Sequence, residues 1–183
     1  MEQPKNYDTT KEPGAYIPPE VGGHYMIIKK VEDTKSKNGD PMLIVYFDFD
    51  KDDKQPGFFA KAFKADTRPE KSWPFQGKKW IMRDDTEGNC SRNFKGFISS
   101  VEASNPGFNV AWGDNFGEQF KDKRVGGVFG MQYDFYNGKE TKQSILRWFC
   151  AIEKVKDAEV PDIYETTKYK KRSDKGTQTS TDD

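Results

Sequence analysis

The chain has 183 residues, of which 33% are hydrophobic and 14% aromatic, and its 30 Lys and Arg residues balance 30 Asp and Glu residues. This length predicts one domain, and the aromatic content excludes a largely disordered chain. The balanced charge excludes a uniformly basic protein that coats nucleic acid by bulk attraction, so nucleic-acid binding would need a local cationic surface.

The first predicted elements are three strands that follow a flexible N-terminal tail, residues 1–20. This tail contains four prolines and has no apolar periodicity. Alternating apolar side chains predict strands at 25–31, 42–49 and 58–64. Asn38-Gly39, in a polar segment, predicts a hairpin between the first two strands.

The second half of the domain contains one predicted helix and one predicted hairpin. Apolar side chains repeat at i, i+3, i+4 and i+7 along residues 92–104, which predicts a helix with one buried face. Strands at 124–136 and 141–155 flank Asn137-Gly138, a common hairpin turn. Residues 161–183 are predicted to form a flexible C-terminal tail.

The order of these elements, βββαββ, predicts an all-β domain with one helix over residues 21–160. It matches the OB-fold, a five-stranded barrel, with the helix between strands three and four. An open antiparallel sheet or another small barrel would contain the same strands and differ only in closure.

Several classes of function lack the residues that they need. His24 is the only histidine, is predicted to be solvated, and belongs to no catalytic triad, HExxH motif or Cys/His zinc cluster. Cys90 and Cys150 lack the spacing of a zinc site or a disulfide framework. No motif indicates a cofactor, the longest apolar run (42–47) is too short to span a membrane, and the polar start predicts a protein that is not exported.

Cations and aromatic side chains coincide in residues 61–83, the segment around the predicted connection between the third strand and the helix. Seven Lys and Arg residues stand there against two acidic residues, interleaved with Phe63, Trp73, Phe75 and Trp80. Binding sites for single-stranded nucleic acid have this composition, because their cations contact the phosphates and their aromatic rings stack on the bases. An alternative is that these rings seal the end of a small core.

The strand faces add further candidates to this segment, since strands two and three of an OB-fold are its usual oligonucleotide platform. The complete set of predicted nucleic-acid-binding residues is Tyr46, Lys61, Phe63, Lys64, Arg68, Trp73, Lys78, Lys79, Trp80, Arg83 and Arg147. We predict no catalytic residue and no metal ligand.

Two other functions keep some support from the residues. The carboxylates of Asp48, Asp50, Asp52 and Asp53 could bind Mg²⁺ in a nuclease, although their place at a strand end and turn favours a solvated acidic edge. The aromatic residues could instead form a contact surface of a protein-interaction module, as a monomer or an oligomer, for a helicase, recombinase or host factor.

Four segments of the chain resemble a family of small proteins from phages and prophages of Gram-positive bacteria. They are residues 93–108, 23–33, 123–130, and Thr67-Arg68-Pro69 with Trp73-Pro74. The resemblance implies an OB-fold single-stranded DNA-binding protein of a phage DNA replication or recombination module, which protects single-stranded intermediates in the bacterial host cytoplasm. It also implies phage replication or recombination proteins as partners, and it assigns no functional residues.

Overall fold

The computed structural model describes residues 2–10, 12 and 14–177, which form six strands and three α-helices. Three short 3-10 helices lie between them, at Phe75–Gly77, Phe116–Phe120 and Ile152–Asp157. The main elements are β1 (Gly22–Lys35), β2 (Pro41–Phe49), α1 (Phe58–Ala65), β3 (Lys78–Met82), α2 (Arg92–Ser104), β4 (Arg124–Tyr136), β5 (Lys139–Cys150), β6 (Tyr164–Glu165) and α3 (Thr167–Thr177).

The strands form one mostly antiparallel sheet in the order β3-β2-β1-β4-β5, and β6 pairs with β4 in parallel. The sheet is open, because no backbone pairing joins β3 to β5 in the described part of the chain. The predicted closed barrel is therefore wrong, while the predicted antiparallel all-β character is confirmed. Side chains occupy the gap instead: Gln76 donates to the carbonyl of Ser144, and Lys79 to that of Leu146.

The predicted third strand, residues 58–64, is wrong because this segment forms α1. Phe59 and Phe63 are four residues apart and share one helix face, and the alanines between them favour a helix. The buried carboxylate of Asp48, in β2, accepts hydrogen bonds from the backbone amides of Phe59 (2.9 Å) and Ala60 (3.2 Å). It thereby caps the start of α1 in place of a local capping residue. The third strand of the sheet is β3, farther along the chain.

The remaining predicted elements are confirmed with small changes at their ends. Helix α2 has the predicted bounds and buries the predicted apolar face, and the Ser91 hydroxyl accepts a hydrogen bond from the Phe94 amide at its start. The hairpin of β4 and β5 turns at Asn137 and Gly138, both with positive φ. The last predicted strand ends earlier, at Cys150, and continues as a 3-10 helix.

The core lies between the sheet and helices α1 and α2, and it is built mainly from phenylalanine. Phe47, Phe59, Phe97 and Phe129 are fully buried. Phe47 contacts Phe59, Phe129 and Phe149 edge to face, at centroid distances of 5.7–6.2 Å. Close-packed rings of this kind let a chain of modest hydrophobic content form a core.

The segment predicted as a flexible C-terminal tail contains β6 and α3 and lies against the far end of β4. The Tyr169 ring stacks on Phe135 at 5.4 Å and contacts Tyr133 at 5.5 Å. The Thr166 hydroxyl donates to the Asp134 carboxylate at 2.6 Å. These contacts hold β6 and α3 against β4. Their sequence lacks the hydrophobic pattern of a packed helix, which is why it predicts a tail. Residues 178–183 lie outside the described residues.

His24 is fully buried, and the prediction of a solvated side chain is wrong. Its ring stacks on Phe49 at 4.0 Å, Nδ1 lies 2.9 Å from Asp53 Oδ2, and Nε2 lies 2.8 Å from the Glu20 carbonyl oxygen. Each ring nitrogen thus lies within hydrogen-bond distance of an oxygen atom. The resulting buried His24–Asp53 pair joins the start of β1 to the turn after β2.

The acidic cluster is structural in this arrangement rather than a solvated edge. Asp48, Asp50 and Asp53 are all buried: Asp48 caps α1, Asp53 pairs with His24, and Asp50 pairs with Arg124 at 3.3 Å. Only Asp52 is exposed, and it also contacts Arg124. In the part of the chain that the structure describes, no group of three or more metal-ligating side chains is placed to hold a metal ion.

None of the described helices combines the length and the apolar composition that a membrane-spanning segment requires.

Candidate nucleic-acid interface

The outward side of β1, β2 and β3 carries cations and aromatic rings in register. Lys30, Tyr46 and Lys78 form one cross-strand row, because Tyr46 pairs with Lys30 on one side and with Lys78 on the other. Glu32, Ile44 and Trp80 form the next row. Residues that face each other across antiparallel strands project to the same side of a sheet. These six side chains therefore share one surface, which we call the outer face.

Tyr46 lies between two ammonium groups on this face. The Nζ atoms of Lys30 and Lys78 lie 5.6 and 5.3 Å from the centre of its ring. Burial, together with the nearby Glu32 carboxylate, raises the pKa of Tyr46. Glu32 forms an ion pair with Lys30, which leaves Lys78 as the cation of this row without a carboxylate partner among the described residues.

Trp80 lies at the edge of the outer face beside a second aromatic ring. Its ring centre is 5.4 Å from that of Phe75, and the two side chains are 41% and 62% exposed. Both rings border a cavity of about 170 Å³ between β3 and β5, whose other walls include Lys78, Gln132 and Ile145. Exposed rings next to a cation, at an open groove, are the arrangement that base stacking requires.

Three of the predicted site residues therefore come together: Tyr46, Lys78 and Trp80. The structure adds two that the predicted site lacks, Lys30 and Phe75. Phe75 lies in the basic segment near Trp73, so the aromatic composition of residues 61–83 is enough to point to it. Lys30 has no signal in the sequence alone, because its position opposite Tyr46 depends on the register between β1 and β2.

Trp73 and Phe63 form a separate cluster that packs toward the core. The Trp73 indole is partly buried, and its Nε1 lies 3.1 Å from the carbonyl oxygens of both Phe47 and Gly77. The Phe63 ring lies 5.7 Å from that of Trp73, and the Lys71 ammonium lies over it at 4.6 Å. Trp73 therefore matches the alternative interpretation, in which an aromatic side chain covers the core.

Four predicted cations are exposed but lie away from the rows of the outer face. Lys61 and Lys64 project from α1, where the Lys61 ammonium donates to the Pro56 carbonyl at 3.0 Å. Arg68 is bound by Asp66, and Arg83 by Asp84. Hydrogen bonds from Arg68 lower the pKa of the Asp66 carboxyl to about 2. Both guanidinium groups are thus already paired with carboxylates.

Lys79 and Arg147 belong to the gap between β3 and β5. The Lys79 ammonium is partly buried and donates to the Leu146 carbonyl at 3.0 Å. Its pKa is lowered mainly by burial and, to a smaller extent, by repulsion from Arg147. Arg147 donates to the Asp162 carbonyl at 2.8 Å and lies over the Tyr164 ring at 5.3 Å. Both cations have structural partners, which a count of charges in the sequence does not reveal.

We expect the Lys79→Met variant to lose about 1–3 kcal/mol of unfolding free energy while it keeps its affinity for oligonucleotides. Methionine preserves the apolar stem but leaves the Leu146 carbonyl without its donor. Urea denaturation and oligonucleotide titration of the same preparation measure the two effects. A loss of affinity at unchanged stability would instead indicate that Lys79 contacts phosphate.

No protein-family model matches this chain, and no curated protein matches its sequence.

Proposed function

We propose that this protein binds single-stranded DNA with little sequence preference and has no enzymatic activity. The observation that carries the proposal is the outer face, where Tyr46 lies in register with Lys30 and Lys78 and Trp80 stands in the next row. Such a surface offers ring faces to bases of any identity and ammonium groups to the phosphates between them. Double-stranded DNA, whose bases are already stacked, would have little use for the rings.

The proposal includes an OB-type fold, which is a partly open barrel that binds oligonucleotides on its second and third strands. Two features support it: the outer face is centred on β2 and β3, and side chains span the remaining gap to β5. The sequence resemblance supports a place in a phage DNA replication or recombination module. We therefore propose that the protein acts in the cytoplasm of a bacterial host, beside phage replication or recombination proteins.

Titration with a dT oligonucleotide, followed by tryptophan fluorescence, tests the proposal. We expect quenching, because a base stacked on Trp80 changes the surroundings of an indole that is 41% exposed. The logarithm of the association constant should fall linearly with the logarithm of salt concentration. Two to four phosphate contacts give a slope of about −1.4 to −2.8.

Two comparisons complete this titration. Oligo(dA) of the same length should bind within about tenfold of oligo(dT), since stacking tolerates all bases, and a duplex of that length should bind more weakly. Absence of both quenching and a mobility shift at low salt would refute DNA binding. Cleavage of labelled DNA in the presence of Mg²⁺ or Mn²⁺ would favour the nuclease alternative.

A further inference from the structure

A second exposed tryptophan, Trp112, lies outside the outer face, on the loop between α2 and β4. Its indole stacks nearly parallel on Phe116, at a centroid distance of 5.3 Å and an angle of 19°, and Phe116 stacks in turn on Phe94. Phe116 and Phe94 are buried, whereas Trp112 is 69% exposed. The Trp112 ring centre also lies 6.2 Å from that of Phe94, so the indole contacts both buried rings while most of its own surface stays exposed.

The loop that carries Trp112 is held in place by hydrogen bonds on its N-terminal side. The Gln119 side chain accepts from the Ala111 amide and donates to the Ala111 carbonyl, both at 2.8 Å. The Val110 amide donates to the Glu102 carboxylate at 2.9 Å. The exposed indole is thus fixed before any partner arrives, which lowers the entropy that binding would cost.

Carboxylates line the cavity beside this indole and the cavity that adjoins it. Two adjoining cavities, of about 170 and 400 Å³, share Asp33, Gly113 and Phe116, and the second is also lined by Asp114 and Glu118. Within the described part of the chain, none of these three carboxylates forms a hydrogen bond or a short ion pair. The one cation lining either cavity is Arg83, which is already bound to Asp84 at 2.6 Å.

Three carboxylates against one guanidinium that is already paired favour a cation over a phosphate as the occupant. A guanidinium group can lie flat on an indole and donate to carboxylates at its edge, and Arg is the side chain that does both. Beside the indole, the smaller cavity has apolar walls from Met42, Leu43 and Phe94 that suit an aliphatic side chain. Tryptophan at the centre of a patch with a polar rim is typical of protein-binding surfaces.

We propose that Trp112, Asp33 and Asp114 form a docking site for a segment of a partner protein in which an arginine stands next to an aliphatic residue. The arginine stacks on Trp112 and pairs with the carboxylates, and the aliphatic side chain enters the smaller cavity. This site is separate from the outer face and does not depend on DNA binding.

The test uses a fluorescein-labelled octapeptide of alternating leucine and arginine, and a matched peptide with citrulline, the neutral isostere, at each arginine. Fluorescence anisotropy at low salt should show saturable binding of the arginine peptide and at least fivefold weaker binding of the citrulline peptide. Trp112→Ala should weaken the arginine peptide at least tenfold, and the double variant Asp33→Asn, Asp114→Asn at least fivefold. Trp148→Ala, a matched change at a tryptophan that is 44% exposed elsewhere, should leave it unchanged.

Thermal denaturation and dT titration of the same variants provide the controls. Trp112→Ala should unfold within a few degrees of the unmodified protein and keep its oligonucleotide affinity. Trp112→Phe, which preserves a ring on the stack, should retain more peptide binding than alanine. Equal peptide binding by the unmodified protein and Trp112→Ala overturns the proposal, as does no binding at low salt. Two other results for Trp112→Ala also overturn it. Weaker dT binding would show that the occupant is a base, and loss of self-association would show that it is a second copy of this chain.

Discussion

Replacing Trp80 with alanine is expected to weaken dT oligonucleotide binding by roughly tenfold and to remove most of the fluorescence quenching. The indole is exposed beside Phe75 and in register with Ile44, so its loss removes one stacking platform and leaves the core intact. Stacking of one base on an aromatic ring contributes about 1–3 kcal/mol, and a tenfold change corresponds to about 1.4 kcal/mol. Isothermal titration at fixed salt measures the effect.

The remaining tryptophans provide matched controls for this variant. Trp148→Ala removes an indole of similar exposure that borders a different cavity, so it should leave affinity unchanged. Trp73→Ala should lower stability, because it removes the donor that reaches the Phe47 and Gly77 carbonyls. If Trp80→Ala and Trp148→Ala weaken binding equally, the outer face is not the site. The loss should also be similar for oligo(dT) and oligo(dA), because no base-specific contact is removed.

The His24→Ala variant is expected to lose about 3–5 kcal/mol of unfolding free energy at pH 7. It leaves the buried Asp53 carboxylate without its histidine partner and removes the ring that stacks on Phe49. Removing the partner of a buried charge has this cost. Lys54→Ala, which breaks the exposed pair with Glu20, should cost less than about 1 kcal/mol and serves as the control. Urea denaturation measures both, and equal losses would contradict the assigned role of His24.

The His24–Asp53 pair also predicts how the unfolding free energy depends on pH. Burial alone would raise the pKa of Asp53, but hydrogen bonds from His24 and from the Gln55 and Tyr25 amides outweigh it and lower the pKa. A lowered folded-state pKa adds stability above the unfolded value, near pH 4, and this stability is lost as pH falls through the folded value. Unfolding free energy between pH 5 and pH 2 should therefore fall less in Asp53→Asn than in the unmodified protein. Parallel curves would contradict this assignment.

The sequence predicts elements well where their hydrophobic period is long and their end signals are local. Helix α2 is the clearest case, because its apolar repeat and its serine cap both lie within residues 91–104. Helix α1 is the opposite case, since the carboxylate that caps it comes from β2. In so short a segment the alternating phenylalanines and alanines also fit a strand, and only a tertiary contact decides between the two. β3 was missed because it is a five-residue edge strand in which one residue, Ile81, is buried.

The candidate site was predicted in composition but not in arrangement. The segment 61–83 does supply Phe75, Lys78 and Trp80 to one surface. However, four of its other cations are held by Asp66, Asp84 or backbone carbonyls, and those partners are set by the fold: Lys61, Arg68, Lys79 and Arg83. Lys30 is the reverse, an ordinary lysine in the sequence that the register of β1 brings beside Tyr46. His24 illustrates the same limit, because nothing local indicates that Asp53 will bury it.

The gap between β3 and β5 has a mechanical consequence. Gln76 and Lys79 hold these edges together through flexible side chains, whereas neighbouring strands of the sheet are joined by backbone hydrogen bonds. Breaking two such bonds costs about 1–3 kcal/mol and disrupts no strand. The cleft beside Trp80 can thus widen or narrow at little cost while the backbone-paired strands stay in place. Under the proposed function, this would let it take purines and pyrimidines alike. A sheet whose one gap is bridged by side chains would in this way tolerate different base sequences and keep its fold.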